Sequence, residues 1–133
     1  RMIEICRRKA KDLNNIKFDV EVAESLPYQD NYFDAAVSTF FYHHINYELK
    51  IKSLKEVRRV LKGAGRLVIV DVDMPVNLFG RLCAWAGYFL FRQEEIKENI
   101  QGKLRAAIDQ SGFSKWKHYG IYQGYISIFI LTK

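Results

Sequence analysis

Two adjacent imidazoles, His43 and His44, follow the aromatic run Phe40-Phe41-Tyr42, and Asp71 and Asp73 stand beyond the next apolar stretch. Histidine titrates near neutrality, so His43 or His44 could take a proton from a weakly acidic group, with Asp71 as the other candidate base. The plainer reading makes both imidazoles helix caps. His118, alone in the carboxyl-terminal tail, reads as structural. No Cys, His and Asp cluster has metal-ligand spacing, so no metal is expected. Gly63-Ala64-Gly65 is no phosphate loop, because it precedes a strand where such a loop must come after one.

The elements that would carry these residues emerge from periodicity. Phe33 to Thr39 is a short run of small and β-branched residues behind Gln29-Asp30-Asn31, as a buried strand is. From Tyr47 the apolar residues fall at Ile51, Leu54, Val57 and Leu61, one face of an amphipathic helix. Gly63 stands where a left-handed helix cap belongs, and Leu67-Val68-Ile69-Val70 runs apolar as a strand covered on both faces. The unit is strand, helix, parallel strand with a right-handed crossover. That topology puts Phe40 to His44 at the carboxyl end of a buried parallel strand, where open α/β sheets bind ligands.

Upstream, Met2, Cys6, Ala10 and Leu13 share one helical face with no capping residue before them, which predicts further sequence ahead of Arg1. Ile16, Phe18, Val20 and Val22 alternate with polar residues, predicting a strand with one wet face. A polar loop, Ala23 to Tyr32, comes next. Val76 to Phe91 is strongly apolar but too short and too broken by Arg81 and two glycines for a membrane span. It is expected to be a helix on the core, a lid over an apolar substrate, or a membrane-surface segment. Glu94 to Gln110 predicts one amphipathic helix with Ile96, Ile100, Leu104, Ala107 and Ile108 inward, ended by Ser111-Gly112. Phe113 to Lys133 predicts two antiparallel strands joined near Gly120 to Gly124.

With 133 residues the chain is long enough for one core only. The formal charge of +6 is spread over three helical faces (Arg7 to Lys11, Lys50 to Lys62, Lys97 to Arg105), a pattern of solvated surface rather than nucleic-acid contact. Cys6 and Cys83, far apart in apolar helical settings, are expected to be buried thiols of a reducing, cytoplasmic compartment. No signal-peptide pattern is visible.

Four segments then carry a resemblance: Ala23-Glu24-Ser25-Leu26-Pro27-Tyr28, Asn31-Tyr32-Phe33-Asp34, Phe41-Tyr42-His43-His44, and Leu54 to Lys62 leading into Gly65-Arg66-Leu67-Val68-Ile69. In order and spacing the chain resembles the class I S-adenosylmethionine-dependent methyltransferases, small-molecule and quinone-type branch. The resemblance implies an α/β, Rossmann-like, largely parallel sheet with a C-terminal antiparallel hairpin. The chain would hold its last five strands as a single partial domain over 1–133, with 76–91 as a lid-like insertion. The family's glycine-rich turn and acidic ribose-binding residue would lie outside it.

S-adenosylmethionine is the implied cofactor, held near Val22, Ala23, Glu24, Ser38, Thr39, Phe40 and His44. The implied substrate contacts are His43, Trp85 and Tyr88, and the implied acceptor is small and apolar or aromatic. At Val22 the family usually has an aspartate that bonds the adenine amino group, and its loss would cost about 1–3 kcal/mol of binding. Under this resemblance His43 and His44 either act as base or line the cofactor edge. A second reading is a catalytically inactive relative serving as an interaction module. An unpaired edge on the Phe33 strand would favour a homodimer, and the apolar segment allows peripheral membrane contact.

Overall fold

The computed structural model describes residues 2–133. Helix α1 (Met2–Lys9) opens the chain, followed by an irregular stretch to strand β1 (Phe33–Thr39). A 3-10 turn (Tyr42–His44) leads to α2 (Tyr47–Val60), which passes directly into β2 (Leu61–Val72). Helices α3 (Leu78–Phe91), α4 (Glu94–Ile100) and α5 (Lys103–Gln110) precede the hairpin β3 (Lys115–Tyr122) and β4 (Ile126–Thr132).

The sheet order is β1-β2-β4-β3, with β1 parallel to β2 and the other two pairs antiparallel. The βαβ unit and the closing hairpin are therefore as the sequence predicts, and the fold is a Rossmann-like α/β sheet. The core gathers Leu54 of α2, Leu104, Ala107 and Ile108 of α5, Leu67 and Ile69 of β2, and Phe129 and Leu131 of β4. Residues facing the other way, such as Val68, Val70, Ile128 and Ile130, are half-buried. The expectation that β1 is a buried strand is corrected: it is the sheet's edge among the described strands, none of its residues is buried, and Val37 is 71% exposed.

Several expectations about individual segments are corrected. Ile16 to Val22 forms no strand; its one ladder contact is an isolated bridge between Val22 and Ser25. Alternation makes a strand only where a neighbouring strand offers a ladder, and this segment lies against none of the described ones. Gly63 is not a left-handed cap, because Leu61 leaves α2 extended (φ −74°, ψ 143°). The helix-end carbonyls are met elsewhere: Arg59 O accepts from Asn31 N, Val60 O from Tyr32 N, and Lys133 Nζ donates to Arg59 O and Leu61 O. A glycine is needed instead at Gly65, where a Cβ would come within 2.9 Å of Lys62 O as the strand irregularity folds tightly.

The helix foreseen over Glu94 to Gln110 is two helices, broken at Gly102 (φ +87°). The five residues expected inward are all buried, and Gly112 ends α5 in the left-handed region (φ +84°). Cys6 and Cys83 are free thiols, half-buried rather than buried.

Candidate functional site

At the carboxyl end of β1 the chain turns sharply. Phe40 adopts a left-handed backbone (φ +51°) while its N–H bonds Val70 O of β2 at 2.9 Å. A bulky residue holds that conformation only where its surroundings enforce it. Asp71, fully buried on β2, gathers the residues of the turn around its carboxylate. Its Oδ2 accepts the N–H groups of Phe41 (2.9 Å) and Tyr42 (2.7 Å), and its Oδ1 accepts Val72 N–H (2.8 Å) and His43 Nδ1 (2.6 Å). Since a carboxylate only accepts, His43 carries the proton on Nδ1 and leaves Nε2 as its lone-pair nitrogen.

His44 stacks on His43 with ring centroids 4.0 Å apart, and its Nδ1 lies 3.1 Å from Gln93 Oε1. The amide oxygen accepts, so this nitrogen too is assigned a proton. Beneath the turn, the buried Lys50 Nζ donates to Ile45 O (2.6 Å) and Glu98 Oε2 (2.8 Å), tying the turn to α4. Burial pulls the Lys50 ammonium below the usual lysine value, against the pull of Glu98.

These residues wall a cavity of about 410 Å³, within the range of small-molecule pockets. Phe40, His43 and His44 form one side; Cys83, Ala84, Gly87 and Phe91 of α3 form the facing side; Val72, Gln93, Ile96 and Tyr125 close it. The lining includes no carboxylate. A flat apolar molecule with one polar group suits it, whereas ribose hydroxyls would find no acid there.

The structure thus brings His43, His44 and Phe40 together, with Asp71 behind His43 as its positioning residue. Ser38 is half-buried and Thr39 exposed at the end of β1, and neither lines the cavity. Val22, 56% exposed, and its neighbours Ala23 and Glu24 lie on a separate loop. That loop is fastened to α2: Glu56 accepts Leu26 N–H (2.9 Å), and Arg59 donates to Leu26 O and to both Glu56 oxygens. Trp85 lines a shallow hollow on the outer side of α3, and the Tyr88 hydroxyl donates to Glu94 (2.6 Å), so neither belongs to the cavity lining.

Sequence reasoning missed the inner face of α3 at 83, 84, 87 and 91, whose helical spacing was the available signal. Tyr42 is core, and burial pushes its phenol upward. His118 Nε2 lies 3.1 Å from Ser127 Oγ, which donates to Asp73, itself held by Arg105. This chain of contacts ties the hairpin to α5, as a structural role requires. Among the described residues no three His, Cys, Asp or Glu side chains converge as a metal site.

The family model described as "Methyltransferase domain" matches residues 1–69. The chain belongs to the class I S-adenosylmethionine-dependent methyltransferase family. Among curated relatives of this methyltransferase chain, a ubiquinone/menaquinone biosynthesis C-methyltransferase UbiE from Geobacter sp. (strain M21) is 26% identical over 152 residues, covering 99% of this chain and 64% of the relative. A demethylmenaquinone methyltransferase from Staphylococcus saprophyticus is 29% identical over 134 residues, covering 87% of this chain and 57% of the relative. The methyltransferase chain therefore spans less than two thirds of these relatives' length. A solved SAM-dependent methyltransferase from Methanosarcina mazei superposes with a TM-score of 0.70 at 20% identity, covering 98% of this chain and 76% of that one. One from Thermotoga maritima gives 0.64 at 23% identity, covering 100% and 69%. Both likenesses speak for the methyltransferase fold.

Proposed function

We propose that this chain forms the acceptor-binding part of an S-adenosylmethionine-dependent methyltransferase whose acceptor is a flat, apolar molecule bearing an ionisable phenol or enol. The observation that carries the reading is the apolar cavity with the Asp71-oriented His43 in its wall. The names of the quinone-type relatives agree with such an acceptor. A reading as a non-enzymatic module finds no support in those names.

The cofactor, when bound, supplies an electrophilic methyl group on a sulfonium with an excellent leaving group. The chain's residues then have three tasks: to align the acceptor, exclude water and take a proton. His43 Nε2 takes the hydroxyl proton as the acceptor's nucleophilic atom gains electron density, and Asp71 steadies the resulting imidazolium through Nδ1. Cys83, Ala84, Gly87 and Phe91 shield the acceptor from water. The Val22 to Glu24 loop and the Ser38 to Phe40 end of β1 are assigned to the cofactor edge on family resemblance.

Calorimetric titration with S-adenosylmethionine and S-adenosylhomocysteine tests the cofactor half of this reading. Titration of a 1,4-dihydroxynaphthalene into labelled protein, watching the His43 ring resonances, tests the acceptor half. Cofactor heat together with a moved His43 signal is expected. A folded sample giving neither overturns the proposal.

A further inference from the structure

Helix α3 presents an outer surface unlike the rest of the molecule. Leu78, Phe79, Leu82, Phe89 and Leu90 are all more than half exposed, with Leu90 at 76%, and Arg81 is the helix's sole charged residue. Small residues, Gly80, Ala84 and Gly87, turn inward. A contiguous apolar surface of this kind on a folded protein marks an interaction site. We propose that α3 docks the protein on an anionic lipid bilayer, lying in the interface plane with its outer face among the acyl chains.

Charge and length both select this occupant. Arg81 in the first half of the helix and Arg92 directly after it border the apolar face, on a chain of net charge +6; basic groups beside a buried apolar face add electrostatic attraction to anionic lipid. The nearest acid beyond the helix, Glu94, is paired with Lys97 at 3.0 Å. Fourteen residues extend about 21 Å, short of the hydrocarbon core of about 30 Å, and no described helix is long and apolar enough to cross a membrane.

The inner face of α3 walls the cavity while its outer side carries the apolar hollow of Leu78, Leu82, Trp85 and Phe89. An acceptor dissolved in the acyl layer is then separated from His43 by one helix. This last link rests on the reading of the cavity as the acceptor site; the docking itself does not.

Vesicle sedimentation tests the docking with neither cofactor nor acceptor present, so its failure is distinct from failure of the proposed function. The protein is expected to pellet with phosphatidylcholine vesicles containing phosphatidylglycerol and to do so less at high salt. Phe89→Ser with Leu90→Ser should weaken the partition by about tenfold or more, Arg81→Glu should abolish the preference for anionic vesicles, and Val20→Ser, an exposed apolar position away from α3, should change nothing. Protein that stays in the supernatant with both vesicle types overturns the proposal, as does unchanged binding by the Phe89/Leu90 variant. A self-association seen by sedimentation velocity that those two substitutions dissolve, without vesicle binding, assigns the face to a second copy instead.

Discussion

Asp71 serves four donors at once, and three of them are backbone N–H groups. Asp71→Asn would turn one acceptor oxygen into an amide aimed at donors, so the turn that carries His43 should be lost together with about 2–4 kcal/mol of stability, measurable by urea unfolding. His43→Gln should behave oppositely, holding stability within about 1 kcal/mol while lowering methyl transfer by about 10²- to 10⁴-fold in a labelled-methyl assay. The two imidazoles were visible in the sequence as candidates, but their division of labour was not. Only the positions of Asp71 and Gln93, 28 and 49 residues away, fix which nitrogen of each ring is engaged, and no local pattern encodes that distance. Trp85 and Tyr88 illustrate the converse: aromatic side chains attract attention by type, while the small residues Ala84 and Gly87 do the lining.

At the scale of elements, the loop that precedes β1 depends on α2 through Glu56. The Arg59 guanidinium, first, and the Leu26 N–H hold this carboxyl below the ordinary carboxylate value. A depressed carboxylate contributes stability that is fully present above its unfolded value, near 4.5, and is lost as pH falls through the lower folded value. Glu56→Gln should therefore narrow the stability difference between pH 6 and pH 3 in thermal melts. The seating of α3 is as specific: a Cβ at Gly80 would run into the Gly124 carbonyl of the hairpin turn, so Gly80→Ala should cost about 1–3 kcal/mol in urea unfolding. β1, α2, β2 and the hairpin were legible because their periodicity and partners agree. Ile16 to Val22 alternates just as well, yet alternation specifies a face and not a partner. The left-handed Gly102 broke an otherwise continuous helical pattern that the spacing of Ile96, Ile100 and Leu104 carried straight through.

For the whole molecule, β1 is the sheet's edge among the described strands, with Val37 exposed at its middle. We propose that this edge pairs with another strand, and Val37→Lys should reduce any concentration-dependent association seen by sedimentation velocity. The central strand β2 continues α2 without a connecting loop and bonds both β1 and β4, so these parts share one fate. Helix α3 does not. Its buried residues, Gly80 and Ala84, meet the hairpin turn and the small cluster of Ala84, Ile96 and Ile100, set apart from the main core. The energetic consequence is a hierarchy of opening, in which the wall of the cavity detaches long before the sheet comes apart. Native-state hydrogen exchange should then show the amides of Leu82 to Phe89 exchanging through a low-energy, denaturant-insensitive opening. Those of Leu54 and Ile69 should wait for global unfolding, which would make access to His43 a matter of local breathing.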